Sequence, residues 1–212
     1  MKGNPAVTLP TVVGILFLLT ACGSGLKDVK NLDRAAGKNI IAFGDSITEG
    51  FGVGREQAWP AVLSGLIGLP VVNAGVSGDM TQSALARLEK DVLTQDPGIV
   101  IVGLGGNDFL RQVSKEETER NLREIIARIQ DKGAAVVLLG MNLGMFVDEY
   151  KDLYARVAKG TGSYLIPQVL KGILDAPGNR QEDRIHPNEA GQRILGEKIA
   201  KAMRPLLKKA GG

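Results

Sequence analysis

The chain of 212 residues has one cysteine, Cys22, and one histidine, His186. A single cysteine excludes an intrachain disulfide. With so few soft ligands, no metal centre is expected. A site of carboxylates alone stays open, though nothing in the sequence points to one. No Gly-x-x-x-x-Gly-Lys-Ser/Thr loop occurs, and the glycines from Gly50 to Gly54 lack the third glycine and the strand–helix context of a dinucleotide fingerprint. No cofactor is therefore expected. The chain lacks internal repeats, low-complexity blocks and signs of a second domain. It also lacks strong charge of either sign: the net charge is +3. The small basic cluster at Lys198, Lys201, Arg204, Lys208 and Lys209 reads as a solvated helix face and tail, not a nucleic-acid site. The apolar stretch from Val7 to Ala21 is broken by Pro10 and Gly14. It falls short of the roughly 20 apolar residues that a spanning helix needs.

What the N-terminus does have is an export pattern. Lys2 precedes the apolar stretch, which ends in Leu19-Thr20-Ala21-Cys22. A basic start, a short apolar region and small residues before a cut describe a secretory signal. The ending resembles a bacterial lipobox, which implies cleavage after residue 21 and a diacylglyceryl group on Cys22. A plain signal peptide and an uncleaved anchor are the other readings. Gly23 and Ser24 follow with no aspartate, which by analogy favours the periplasmic face of the outer membrane over retention at the inner one. Residues 1–21 are thus expected as a lipoprotein signal peptide. Residues 22–38, polar and aperiodic, are expected as a tether, and residues 39–212 as one domain.

In that domain apolar runs alternate with helical patterns. Strands are expected at Asn39 to Phe43, Pro70 to Ala74, Ile99 to Leu104, Ala134 to Leu139 and Ser163 to Ile166. The run from Ile99 is continuous and β-branched, as in a central parallel strand. Helices are expected from Gln57 to Gly68, with Pro60 in the first turn, and from Thr81 to Thr94. Another opens at the capping-box candidate Ser114-Lys115-Glu116-Glu117 and ends near Gly133. The last two run from Asp148 to Lys159 and from Pro187 to Leu207, with a long polar connection from Gln168 to Arg184 between them. This alternation predicts an α/β fold: a three-layer α/β/α sandwich around a five-stranded parallel sheet. Ligands bind such sheets beyond the carboxyl ends of the strands.

The chemistry-bearing residues fall at that edge. Ser46 follows the first strand, Gly75 the second and Asn107 the third, and His186 precedes the last helix. A serine nucleophile needs a base that takes a proton near neutral pH, and free histidine, with a pKa of about 6.5, suits this best. Asp183, three residues before His186, can reach the second ring nitrogen if the turn is tight. Singly, each residue has a plain structural reading: Ser46 as a helix cap or turn, Gly75 and Gly105 as turn glycines, Asn107 as a loop brace, His186 as the residue leading into a helix.

Together, Gly44-Asp45-Ser46-Ile47-Thr48-Glu49-Gly50, Asn73-Ala74-Gly75-Val76-Ser77-Gly78-Asp79, Gly105-Gly106-Asn107-Asp108 and Asp183-Arg184-Ile185-His186-Pro187 resemble the four blocks of the SGNH, or GDSL, hydrolase superfamily. The wording of Leu104 to Leu110 and of His186-Pro187-Asn188 is similar to its arylesterase, acyl-CoA thioesterase I and lysophospholipase branch. The resemblance implies a flavodoxin-like sheet and a catalytic set of Ser46, His186 and Asp183. It further implies an oxyanion hole made by the Ser46 and Gly75 backbone N–H groups and the Asn107 side chain. Gly75 suits that role because a side chain would block close approach of backbone to ligand. Asp45, Asp79 and Asp108 are expected to brace their loops, with Asp45 also a candidate for substrate binding.

Where the branch often carries a Pro-x-Asn-Tyr-Gly-like loop, this chain has Met141-Asn142-Leu143-Gly144-Met145-Phe146. Leu143, Met145 and Phe146 read either as an acyl-binding wall or as loop–core packing. Phe109, Leu110 and Arg111 form a candidate substrate segment, with Arg111 facing an anionic head group or only solvent. The expected function is hydrolysis of acyl esters or thioesters, including lysophospholipids, through an acyl-serine intermediate. The substrate is a small molecule, and the membrane is met through Cys22. A carbohydrate O-acetylesterase is the alternative within enzymes. A catalytically silent ligand-binding lipoprotein is the alternative of another class.

Overall fold

The computed structural model describes residues 26–141 and 147–211; Cys22, Leu143, Met145 and Phe146 lie outside them. Five strands form one sheet: β1 (Asn39–Gly44), β2 (Val71–Gly75), β3 (Pro97–Gly103), β4 (Ala135–Leu139) and β5 (Tyr164–Ile166). Their order is β2-β1-β3-β4-β5, and every pairing is parallel. Every residue of β3 and β4 is buried, which accounts for apolar runs without alternation.

Among the described residues seven α-helices cover the sheet: α1 (Ser46–Glu49), α2 (Trp59–Ile67), α3 (Thr81–Asp91), α4 (Gly106–Leu110), α5 (Lys115–Asp131), α6 (Val147–Thr161) and α7 (Glu189–Ala210). Helix α2 packs against α7, while α5 packs against both α3 and α6. The caps follow the sequence: Ser114 accepts from the Glu117 N–H at 3.2 Å, and Asn188 from the Gly191 N–H at 3.1 Å. Pro60 sits in the first turn of α2, where its missing N–H costs nothing.

The short helices α1 and α4 are additions to the expected set, because a single turn carries no readable periodicity. The stretch after α3 is a 3₁₀ turn, Leu93–Gln95, so α3 stops at Asp91. Helix α7 runs to Ala210 with Pro205 inside it, beyond the expected end.

Residues 26–38 correct the expectation of a tether. Leu32, Val29 and Ala35 are buried in the core. The Asn31 amide donates to the carbonyls of Gln130 (2.8 Å) and Ala134 (3.1 Å), and the Lys30 N–H donates to Gly162 O at 3.0 Å. The segment closes the end of the sheet where the strands begin. Its three apolar anchors are too sparse to show periodicity, so it reads as polar chain.

Registry decides what the opposite end presents. Gly44 pairs with Gly75 on one side and with Gly103 on the other. The three glycines end their strands at one level. The chain leaves β1 toward β2 on one flank and reaches β3 on the other, which makes a topological switch point.

Candidate active site

Strand β1 runs straight into the first of the chemical residues. Asp45 is extended and caps α1, its Oδ1 accepting from the Ile47 N–H at 3.0 Å. Ser46 is therefore the first residue of a helical turn, where a backbone N–H has no intrahelical partner. Asp45 is only 2% exposed, a buried brace of the turn. Burial pushes its carboxyl up to about 7, against the lowering effect of the Ile47 amide and His186.

The folded Asp45 carboxyl thus titrates above its unfolded value of about 4. Its contribution to stability is present at low pH and is lost as pH rises toward about 7. Asp45→Asn keeps the capping oxygen and removes the charge. The gain in Tm of this variant over the parent should be larger at pH 8 than at pH 5. Equal differences at both pH values would refute the charge cost.

His186 is held by a loop that folds on its own carboxylate. Arg184 takes a left-handed φ of 64°, which tightens the turn. Asp183 Oδ1 then accepts the N–H groups of Ile185 (2.9 Å) and His186 (3.0 Å). Its Oδ2 lies 2.6 Å from His186 Nδ1, and His186 Nε2 lies 2.8 Å from Ser46 Oγ. A carboxylate only accepts, so the neutral ring carries its proton on Nδ1 and leaves Nε2 as acceptor for the serine hydroxyl. Burial acts to raise the Asp183 carboxyl, but the His186 ring and the two amides outweigh it and hold it below the usual range. Ionised, it is ready to stabilise an imidazolium.

The histidine loop is tied to the loop after α1. The Gln181 N–H donates to His186 O at 2.8 Å, and its side-chain amide donates to Phe51 O at 2.7 Å. The Phe51 ring lies 4.8 Å from the imidazole, tilted by 43°. Helix α7 is fixed to the same region by the buried Gln192, whose amide accepts from the Trp59 N–H (2.9 Å) and donates to Ile47 O (3.1 Å).

At the end of β2 a Cβ on Gly75 would come within 2.7 Å of backbone atoms of Thr48 and Glu49, so only glycine lets α1 pack there. The Gly75 N–H donates to Asn73 Oδ1 at 3.0 Å, and the Asn107 amide donates to Asp79 O at 2.9 Å. Both groups assigned to an oxyanion by resemblance thus have partners within the protein. Asn107 keeps a second amide hydrogen, whereas Gly75 must share its own or exchange it. Asn73 was visible in the motif, but its spacing from Gly75 did not disclose this bond.

Gly105 has φ 105°, and a Cβ there would meet the Tyr154 hydroxyl at 2.5 Å. That hydroxyl donates to Leu104 O at 2.7 Å. Burial holds the Tyr154 phenol well above its ordinary pKa, so it stays a neutral donor. Asp108 accepts from the Thr81 N–H (2.9 Å) and from the Thr81 hydroxyl, which joins α4 to the start of α3.

The sequence reading overlooked Arg87. Its guanidinium pairs with Asp79 at 2.6 Å and donates to the carbonyls of Ala74 and Gly44, both at 3.0 Å. It lies 4.4 Å from the Phe43 ring centroid. On the sequence it is one charge on an amphipathic helix; in the fold it locks the ends of β1 and β2 together.

Of the remaining candidates, Phe109 meets Tyr150 edge-on with centroids 5.2 Å apart. Leu110 is 46% exposed, and Arg111 is exposed beside Gly78. A cleft of about 620 Å³ adjoins the site, lined by Glu49, Phe51, Arg55, Asn73, Gly75 and Ser77. It lies beside the serine, not over it, and meets the site through Gly75 and Phe51.

The family model of GDSL-like lipases and acylhydrolases matches residues 42–194, which hold all four blocks. The chain belongs to that family. This hydrolase is 32% identical over 201 residues to esterase TesA of Pseudomonas aeruginosa, covering 90% of this chain and 98% of that one. It is also 32% identical over 180 residues to thioesterase 1/protease 1/lysophospholipase L1 of Escherichia coli strain K12, covering 82% and 86%. The crystal structure of TesA superposes with a TM-score of 0.75, covering 80% of this chain and 99% of that one. An acetylxylan esterase of Geobacillus stearothermophilus shares 27% identity over 201 residues, 76% of this chain and 91% of that enzyme. The GDSL hydrolase described here is accordingly a carboxylic ester hydrolase of α/β fold.

Proposed function

We propose that Ser46 is the nucleophile, His186 the general base and acid, and Asp183 the carboxylate that orients the ring. The observation that carries this is the unbroken hydrogen-bonded line from Ser46 Oγ through both ring nitrogens to Asp183. Ser46 Oγ attacks the acyl carbonyl as Nε2 takes its proton. The imidazolium then protonates the departing alcohol or thiol, and an acyl-serine remains. Water, activated by the same ring, releases the acid. The Ser46 and Gly75 N–H groups and the Asn107 amide receive the developing oxyanion.

Removing one such donor typically costs about 10²–10³ in kcat. Asn107→Ala should lose that much while the fold survives. Turnover close to the parent value would remove Asn107 from the hole.

The substrates of this reading are acyl esters and thioesters, lysophospholipids among them. A carbohydrate O-acetylesterase is the second reading, favoured by the polar lining of the cleft beside Gly75. A panel of p-nitrophenyl esters from acetate to palmitate, run beside an acetylated sugar, separates the two. Preference for the acetylated sugar would overturn the first. Labelling of Ser46 by a fluorophosphonate probe tests the nucleophile, and no labelling would favour a silent binding protein.

The Leu19-Thr20-Ala21-Cys22 ending supports a lipid on Cys22 as the membrane anchor. No helix among the described residues is long and apolar enough to cross a membrane. Cys22→Ser should shift the protein from the membrane to the soluble fraction. Unchanged fractionation would refute the lipid anchor.

A further inference from the structure

The pole of the molecule opposite the active site has an unusual surface. Leu66 is 55% exposed and Leu69 46%, at the end of α2 and just before β2. With Ile67, Ala200 and Leu207, Leu66 borders a shallow groove of about 320 Å³, edged by Arg204 and Glu197. Exposed cations gather at the same end of the fold: Lys27, Lys30 and Arg34 in the segment before β1, and Arg204, Lys208 and Lys209 on the last turns of α7. Asp28, Asp33, Glu197 and Asp96, the last paired with Lys38, are acids at the same end. Apolar side chains among an excess of cations complement an anionic phospholipid surface.

The chain toward Cys22 leaves from this same pole. Lys209 Nζ holds Leu26 O at 3.0 Å, and the packed residues after Leu26 close the start of the sheet. Only Gly23, Ser24 and Gly25 separate Cys22 from Leu26. That stretch reaches at most about 14 Å even when fully extended. Helix α7 starts next to His186 and ends beside Leu26, and its 22 residues span about 33 Å. The link is therefore shorter than the distance to the catalytic edge.

We propose that the pole bearing Leu66, Leu69 and the basic end of α7 rests on the bilayer holding the Cys22 lipid. The catalytic cleft then opens away from that membrane. The enzyme takes acyl esters from the surrounding aqueous space, dispersed lysophospholipid monomers included, and not lipids embedded in its own anchoring leaflet. This rests on the lipid anchor proposed above.

The test uses natively lipidated protein reconstituted into vesicles of neutral and anionic phospholipid. Once Cys22 is lipidated, an introduced cysteine is the one free thiol. An environment-sensitive dye on Leu69→Cys should shift to the blue and be quenched by spin-labelled lipid, whereas the same dye on Leu110→Cys should not. Equal quenching at both positions overturns the orientation.

A second measurement compares one fluorogenic ester on two carriers: the headgroup of a two-chain lipid confined to the vesicle, and a soluble sugar. Inserting about 30 Gly/Ser residues between Gly25 and Leu26 gives a flexible reach of about 30 Å. Freed of the short link, the enzyme should cleave the confined ester about tenfold faster by effective concentration. Cleavage of the soluble ester should be unchanged. Equally fast cleavage of the confined ester with the native link overturns the proposal. A mass spectrum showing unmodified Cys22 overturns the lipid anchor itself and this orientation with it, an outcome distinct from a lipidated enzyme that faces its membrane.

Discussion

Ser46→Ala and His186→Ala should each lower kcat by about 10⁴ or more, because members of a hydrogen-bonded catalytic set act as a unit. The expectation follows from geometry. Without His186 no other histidine exists to accept the proton, and without Ser46 no hydroxyl lies at the 2.8 Å position. The double variant should be little worse than either single one, and both proteins should melt near the parent temperature. Steady-state kinetics on a short p-nitrophenyl ester, with thermal melts as control, checks this. Retention of most activity in either variant would falsify the assignment.

Arg87→Ala carries the largest expected cost in stability. Asp79 has side-chain exposure of only 7%, and Arg87 of 16%. Removing the cation leaves a buried carboxylate with the Ser83 hydroxyl at 2.8 Å as its remaining side-chain partner. It also leaves Gly44 O and Ala74 O without a donor they now have. Breaking a buried pair in this way costs about 3–5 kcal/mol. For a domain of this size that lowers Tm by roughly 6–20 °C. Arg87→Ala combined with Asp79→Ala should cost less than the sum of the two single changes, since the pair is coupled. Additive costs would show that the two residues act independently. Activity should fall in Arg87→Ala as well, because the braced strand ends carry Ser46 and Gly75.

These two predictions draw on different kinds of information. The proposed catalytic set was readable because the chain offers one histidine, and because motif spacing survives as a local property of the chain. The Asp183–His186 turn is likewise local: four residues decide whether the carboxylate reaches the ring. The five strands were readable because buried parallel strands are continuous apolar runs, and the longer helices because they are amphipathic. Arg87 was not readable in this way. Its partners at Gly44, Ala74 and Asp79 lie 43, 13 and 8 residues away, so its role exists only once β1, β2 and α3 are assembled. The same holds for Gln192, which reaches across 133 and 145 residues to Trp59 and Ile47.

By itself, the sequence determined the order of the strands and the longer helices, and it offered one candidate base with a carboxylate three residues away. Periodicity and short-range spacing are written into adjacent residues and need no partner to be seen. Tertiary structure alone decided that Ser46 meets His186 across 140 residues. It also turned residues 26–38 from a tether into a packed base, engaged the Gly75 N–H with Asn73, and set Leu26 at the pole opposite the cleft. Those outcomes depend on strand registry, crossover direction and long-range burial, and a distance between remote residues is defined only when the whole core has closed.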